Sequence, residues 1–166
     1  MKVAVNVSAQ QFKNRDFSHL IADKLTNFKL PAEQIELEIT ESALIDNFDN
    51  AKLTINKLKD IGVSIALDDF GTGYSSLSYL KNFNLDTLKV DKSCINNINT
   101  DVKSMNILNA IVTLAQSLRL KIVCEGIETE EQLSLLAELQ CEDGQGYLYC
   151  KPKNLNDIRK FLEMKY

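Results

Sequence analysis

Six polar residues occupy equivalent places in the sequence, because each stands at or just beyond the end of a short apolar segment. They are Asn6, Glu38, Asp68, Asp69, Lys89 and Glu125. The adjacent carboxylates of Asp68 and Asp69 repel each other unless cations neutralise them, and hard divalent cations such as Mg²⁺ and Mn²⁺ prefer oxygen ligands. This pattern indicates an acidic metal site with one lysine beside it.

Taken singly, these residues have structural explanations that are at least as good. The explanations are a helix-capping turn for the two aspartates, a strand-end cap for Asn6, a salt bridge with Asp91 for Lys89, and the start of a helix for Glu125 and Glu128. Together, however, oxygen ligands and a lysine at successive segment ends are hard to explain as solvated surface. The joint placement therefore favours a functional site.

Short apolar segments alternate with longer segments of helical periodicity along the chain. The apolar segments are Val3–Val7, Ile35–Ile39, Val63–Leu67, Thr87–Val90, Lys121–Cys124 and Gly146–Tyr149. Most are rich in β-branched residues and apolar at consecutive positions, which is typical of strands buried on both faces. Strand-then-helix units with crossovers of this length predict a parallel sheet.

The parallel sheet could be open and doubly wound, or it could curl into a (β/α) barrel. No GxGxxG or GxxxxGK[ST] motif follows a predicted strand, so the nucleotide-binding open sheets have no support. A barrel brings the C-terminal ends of its strands to one rim, where such barrels carry their active sites. A complete barrel has eight strands and about 250 residues. The 166 residues with about six units predict an α/β fold that is an incomplete, TIM-like (β/α) barrel with parallel strands.

Composition limits the partners and the compartment. The net charge of −4 and the pI near 5.1 argue against a DNA-binding surface. No apolar run approaches the roughly 18 residues that span a bilayer, and no signal peptide opens the chain. The four cysteines contain no CxxC pair and His19 is the single histidine, so a thiolate zinc site has no support. We expect a cytoplasmic protein with reduced thiols, no DNA partner and no membrane segment in this chain.

Six strings that occur in order carry a resemblance to a known family. They are NVSAQQF, ELEITES, DDFGTGYSSL, LKVDKS, CEGIETEEQ and GQGYLYCKP. Together they resemble the successive signature segments of the EAL domain family, over essentially the whole chain. The combination of DDFGTGYSSL with EGIET is highly specific. The resemblance implies a modified (β/α) barrel that hydrolyses cyclic-di-GMP to linear pGpG with two divalent cations, Mg²⁺ or Mn²⁺.

The resemblance also implies a set of metal ligands. By matching motif, Asn6 and Glu38 would bind one cation, Asp68 would bridge both, and Asp69 would serve the second. Glu125 would be a ligand or the base that activates the attacking water.

Further roles are implied for residues around these ligands. Lys89 would orient the attacking water and stabilise developing charge, and together with Glu125 and Glu128 it forms the implied catalytic group. Gln145 would bind the substrate. Glu41 would anchor the DDFGTGYSS loop.

The Glu-Ala-Leu segment that names the family does not occur in the expected place. Ser42-Ala43-Leu44 lacks the carboxylate, and the Leu-x-Arg segment whose arginine contacts the dinucleotide is also absent. We therefore expect residues 1–166 to be a single truncated EAL domain without the first two strands of the barrel. One of the two cation sites should be weakened by the lost glutamate.

Three functional interpretations remain open. The chain could be a phosphodiesterase whose activity is reduced or depends on a complementing N-terminal segment. It could be a catalytically silent module that binds cyclic-di-GMP or another protein, or a gene fragment with no independent function. Retention of the later ligands and of Lys89 favours the first interpretation.

Incompleteness also predicts self-association. The loss of two strands would leave an unpaired edge that carries Val3, Val5 and Val7, and it would uncover apolar side chains inside the barrel. We therefore expect a homo-oligomer, unless a complementing segment covers the gap.

Overall fold

Six parallel strands form one sheet in the part of the chain that the computed structural model describes, namely residues 2–45, 47–72, 80–141 and 143–163. The strands are β1 (Val3–Val7), β2 (Ile35–Thr40), β3 (Ser64–Phe70), β4 (Thr87–Val90), β5 (Lys121–Glu125) and β6 (Asp143–Gln145). They lie in sequence order, and each pairs in parallel with the next. The sheet curls, with helices on its outer face, into an incomplete TIM-like (β/α) barrel, which confirms the predicted fold class.

Helices connect the strands and cover the outer face of the sheet. They are α1 (Ala9–Phe12), α2 (Phe17–Phe28), α3 (Glu41–Ile45), α4 (Phe48–Ile61), α5 (Val102–Ser117), α6 (Glu130–Glu138) and α7 (Leu155–Glu163), with short 3₁₀ helices at Ala32–Gln34 and Lys92–Cys94. Thr129 caps α6 in a reciprocal capping box with Gln132, which fixes the start of this helix. None of the helices in the described ranges is long and apolar enough to cross a membrane.

The hydrophobic core lies between the sheet and the helices. The face of the sheet that is turned towards the helices carries Ile39 of β2, Ile65 of β3 and Leu88 of β4, all fully buried. Ile55 of α4 and Leu108 of α5 pack into the same cluster. The apolar segments that form β2, β3 and β4 are therefore core strands, as predicted.

The inner face of the sheet, which is turned away from the helices, carries polar side chains. They pair across strands: Lys2 with Ser64 at 2.7 Å, Thr87 with Glu36 at 2.9 Å, and Lys121 with Asp143 at 2.8 Å. The expectation that an incomplete barrel uncovers an apolar interior is therefore wrong for this chain. The alternation of side chains along the strands sends most large apolar residues to the helices and most polar residues inwards, with Ala66 and Val123 as apolar residues on the inner face.

The position of the last strand also differs from the prediction. The sequence predicted it at Gly146–Tyr149, whereas β6 comprises Asp143–Gln145 and residues 146–149 form a turn. Within this turn the Leu148 N–H donates to the Ile127 carbonyl oxygen at 3.0 Å. A side chain on Gly146 would overlap the Ile127 backbone, so the turn requires glycine there. The apolar pattern came from a turn that packs Leu148 against the core.

Asp86 fixes the positions of β3, β4 and α4 relative to one another. Its carboxylate accepts hydrogen bonds from Lys59 Nζ at 2.6 and 2.7 Å and from the Ile65 N–H at 2.8 Å. Its backbone oxygen accepts from the Lys121 N–H at 2.9 Å, which also ties in β5. This anchoring holds the register that brings the C-terminal ends of the strands to one rim.

Candidate active site

The aspartate pair lies at an irregular end of β3. The pairing register between β3 and β4 shifts between Leu67 and Phe70, and Asp69 has a φ of +58°. Neighbouring residues of a regular strand point to opposite faces, so the irregular backbone is what turns both carboxylates towards the rim. Carboxylate oxygens of Asp68, Asp69 and Glu125 lie within 4.8 Å of one another.

Lys89 is the centre of the cluster. Its Nζ lies 2.6 Å from Glu38 Oε1, 3.2 Å from Asp68 Oδ1 and 2.6 Å from Glu125 Oε1. The Lys89 side chain is 6% exposed, so these contacts are made away from solvent. Neighbouring strands lie about 4.8 Å apart, and Glu38 on β2 is two strands from Lys89 on β4. The long lysine side chain and the curl of the sheet allow this contact.

The pKa values in the cluster reflect three carboxylates that share one ammonium group. Burial by itself would lower the pKa of Lys89, but hydrogen bonds to Glu125 and Glu38 and the charge of Asp68 raise it above its ordinary value. Burial raises the pKa of Glu125, with Lys89 opposing and Asp68 adding to the rise. Burial and the charges of Asp68 and Asp91 raise the pKa of Asp69. One ammonium group therefore stands among four carboxyl groups, those of Glu38, Asp68, Asp69 and Glu125.

The residues present fit divalent cations. Asp68 Oδ1 is buried and accepts no hydrogen bond from the described residues, although Lys89 Nζ lies 3.2 Å away. One ammonium group is shared among several buried carboxylates, so a divalent cation beside them would lower the cost of burying their charge. Hard oxygen donors in this number are the ligands that Mg²⁺ and Mn²⁺ prefer.

Asn6 lies beside this cluster rather than in its centre. It is the register partner of Glu38, so both residues face the inner side of the sheet on neighbouring strands. Asn6 is exposed, whereas Glu38 is buried against Lys89. This side of the rim offers one carboxylate and one amide, and the β3–β5 side offers three carboxylates.

A cavity of about 300 Å³ opens beside Glu125. Glu128 and Gln145, both singled out in the sequence, line it and are exposed. Lys92 and Tyr147 also line it, and neither was singled out in the sequence. Both lie inside the family strings LKVDKS and GQGYLYCKP, which is the signal that could have pointed to them.

The predicted role of Glu41 falls partly outside the described residues. Glu41 begins α3 and lines a small apolar pocket with Leu67, Phe70 and Leu80. The loop that it would anchor, DDFGTGYSS, includes residues 73–76, which lie outside the described ranges. The loop-anchoring role stays a prediction.

Two of the structural explanations raised by the sequence do not match the observed contacts. Lys89 pairs with carboxylates of other strands, while Asp91 accepts a hydrogen bond from the Ser93 N–H at 2.8 Å and caps a 3₁₀ helix. Glu125 belongs to β5 and contacts Lys89, so it does not begin a helix. Lys89 and Glu125 therefore belong to one cluster of charged side chains.

The sequence is similar to a known domain family and to named proteins of that family. A family model described as EAL domain matches residues 1–152. Cyclic di-GMP phosphodiesterase NbdA of Pseudomonas aeruginosa is 43% identical over 162 residues, which cover 98% of this chain and 21% of NbdA. The chain spans about a fifth of the length of the curated relatives it matches.

Solved structures share the fold. The complex of the PaMucR phosphodiesterase with c-di-GMP has a TM-score of 0.90 and 39% identity, and the match covers 95% of this chain and 64% of that chain. The manganese and cyclic-di-GMP complex of Klebsiella pneumoniae BlrP1 has a TM-score of 0.82 and 30% identity, with 89% and 38% covered. These structures bind cyclic-di-GMP, and the latter holds manganese.

Proposed function

This chain belongs to the EAL domain family, and from that premise we propose that it hydrolyses cyclic-di-GMP to linear pGpG with divalent cations as cofactors. The observation that carries the proposal is the buried cluster in which Lys89 contacts carboxylates from three different strands. Burying these charges costs folding free energy, because each charge loses its hydration. Their presence is therefore better explained by function than by stability.

The proposed ligands divide into two groups. Asp68, Asp69 and Glu125 would hold one cation, and Asn6 and Glu38 would hold the second with Asp68 shared between them. Two bound cations supply the chemistry of in-line phosphodiester hydrolysis, because they favour ionisation of water and stabilise the leaving oxygen. The group with three carboxylates should bind more tightly, since it offers more negative charge.

The protein side chains would place the reactants and move the proton. Lys89, fixed by its carboxylate contacts, would hold the attacking water and stabilise negative charge on the phosphate. Glu125 would accept the proton from this water, as the alternative to its role as a cation ligand. Glu128 and Gln145 line the adjoining cavity, where they would contact the nucleotide.

The direct test is an assay of the purified chain with cyclic-di-GMP and Mn²⁺, in which pGpG is separated from the substrate. We expect pGpG to form, and formation to stop when a chelator removes the cations. Binding of cyclic-di-GMP without any pGpG would instead identify a catalytically silent binding module of the same family. Absence of both binding and turnover would contradict the proposal.

Self-association is proposed from the edge of the sheet. β1 pairs with β2 and forms one edge of the sheet in the described residues, and Val3 and Val5 are 46% and 43% exposed. An exposed β-branched edge is a template for pairing with another chain. We expect light scattering at micromolar concentration to show a dimer or larger species, and Val5→Lys to shift it towards monomer. A wild-type monomer, or an oligomer that Val5→Lys leaves unchanged, would exclude this edge as the interface.

A further inference from the structure

Gln132 is a buried polar side chain that takes no direct part in the proposed hydrolysis. It lies on α6 and is 6% exposed, whereas the neighbouring Glu130 and Glu131 are exposed. Glutamine is mostly a surface residue, and burying its amide group costs free energy unless hydrogen bonds satisfy it. The contacts of the amide group therefore indicate what the burial serves.

The amide group of Gln132 bonds to two segments at once. Its Oε1 accepts hydrogen bonds from the N–H groups of Glu128 at 2.9 Å and Thr129 at 3.1 Å. Its Nε2 donates to the carbonyl oxygen of Ile95 at 3.4 Å. Glu128 and Thr129 belong to the loop between β5 and α6, and Ile95 follows the 3₁₀ helix after β4. One side chain therefore joins the segments that leave two neighbouring strands.

A helix cap accounts for only part of this arrangement. The capping box of α6 needs the Gln132 side chain to accept from the N–H of Thr129, while Thr129 Oγ1 accepts from the N–H of Gln132 at 3.2 Å. The capping box of α1 offers a comparison within the same chain. There Gln11 is exposed, and its Oε1 accepts from the N–H and the hydroxyl group of Ser8. The burial of Gln132 and its other two hydrogen bonds exceed what a cap requires.

The two segments meet beside the cavity that adjoins Glu125. Gly126 has a φ of +73°, and a side chain there would overlap Lys92. Lys92 and Glu128 both line the cavity. The Glu128 side chain is exposed, so its place at the cavity is set by its backbone rather than by packing. Because Gln132 ties that backbone to the segment after β4, it controls where the Glu128 carboxylate lies.

We infer that Gln132 is a positioning residue for Glu128. By bridging the loop after β5 to the segment after β4, it holds the Glu128 carboxylate at the cavity where the nucleotide would bind. The inference rests on the proposed function, because it concerns the substrate contacts of the same site.

Gln132→Met removes the side-chain hydrogen bonds of Gln132 while filling similar space. It should raise KM for cyclic-di-GMP by about tenfold or more, because a hydrogen bond with a charged group commonly contributes about 10- to 100-fold in affinity. Mn²⁺ affinity should stay near that of wild type, since Asp68, Asp69 and Glu125 are held by β3 and β5. A general loss of structure would instead weaken both cyclic-di-GMP and Mn²⁺ binding, and that result would count against the inference.

Gln132→Glu and Thr129→Ala separate the bridge from the cap. Glutamate is common at this position of a capping box, so Gln132→Glu keeps the acceptor for both N–H groups and loses only the donor for Ile95. It should also raise KM, but by less than Gln132→Met. Thr129→Ala weakens the cap of α6 and leaves the bridge in place, so KM should stay at the wild-type value. A wild-type KM in Gln132→Glu would overturn the inference.

A double-mutant cycle tests whether Gln132 acts through Glu128. Residues that act through one another have non-additive effects, whereas independent residues have effects that add in free energy. Glu128→Ala should raise KM by about tenfold or more, and adding Gln132→Met should raise it little further. If the two effects multiply, Gln132 does not act through Glu128 and the inference is wrong.

Failure of the proposed function gives a different result. A wild-type chain that forms no pGpG contradicts the phosphodiesterase activity, and the same cycle is then measured on calorimetric dissociation constants for cyclic-di-GMP. Hydrogen exchange of the Glu128 amide needs no substrate. It should be about fivefold faster in Gln132→Met and unchanged in Thr129→Ala, because only the first change removes its acceptor. Equal exchange in Gln132→Met and wild type would refute the positioning role, whatever the activity.

Discussion

Replacing Asp68 by asparagine should weaken Mn²⁺ binding by more than about 100-fold, since changes to groups that only support a metal ligand already cost about 10- to 100-fold. Carboxylate oxygens of Asp68, Asp69 and Glu125 lie within 4.8 Å of one another, close enough to hold one cation. The buried Asp68 Oδ1 accepts no hydrogen bond from the described residues. Asparagine keeps the shape of the side chain but removes its charge. Hydrolysis of cyclic-di-GMP should be lost together with the cation.

Isothermal titration with Mn²⁺ and the pGpG assay measure the two effects of this substitution. Circular dichroism should show an unchanged fold, because Lys89 keeps its shorter contacts to Glu38 and Glu125. Asp23→Asn, an exposed change on α2, is the matched control and should bind Mn²⁺ as wild type does. Unchanged Mn²⁺ affinity in Asp68→Asn would remove Asp68 from the metal site.

Lys89→Met should lower the free energy of unfolding by about 3–5 kcal/mol in the presence of a chelator, the usual cost of leaving buried charges without their partner. Lys89 is the cation shared by Glu38, Asp68 and Glu125, and methionine fills similar space without charge. The three carboxylates then repel one another in a poorly hydrated place. Mn²⁺ should restore most of the lost stability, because a divalent cation neutralises the same carboxylates.

Urea unfolding with and without Mn²⁺ measures this effect. Lys57→Met, an exposed change on α4, should alter the free energy of unfolding by less than about 0.5 kcal/mol. Mn²⁺ should not restore hydrolysis to Lys89→Met, since methionine cannot hold the attacking water. If the loss of stability is the same with and without Mn²⁺, Lys89 contributes packing rather than charge, and Mn²⁺ does not neutralise the carboxylates that Lys89 contacts.

Most of the fold could be predicted from sequence because burial leaves a local pattern. β1 and β4 have the predicted bounds, Val3–Val7 and Thr87–Val90, since runs of apolar and β-branched residues mark strands. β4 is buried along its whole length, whereas β1 is exposed at the edge of the sheet. β6 could not be located in this way. Its residues, Asp143–Gln145, are polar, and the apolar residues that follow belong to a turn held against Ile127.

The sequence by itself determined which side chains could reach the rim, because strand ends and alternation are local properties of the chain. It did not determine their contacts. The neighbour of Lys89 in sequence, Asp91, caps a 3₁₀ helix, while the lysine contacts Glu38 from a strand two places away. Only a curled sheet brings these strands close enough, and only the left-handed backbone of Asp69 at the irregular end of β3 turns adjacent aspartates to one site. Both depend on how distant segments pack, which local sequence patterns do not encode.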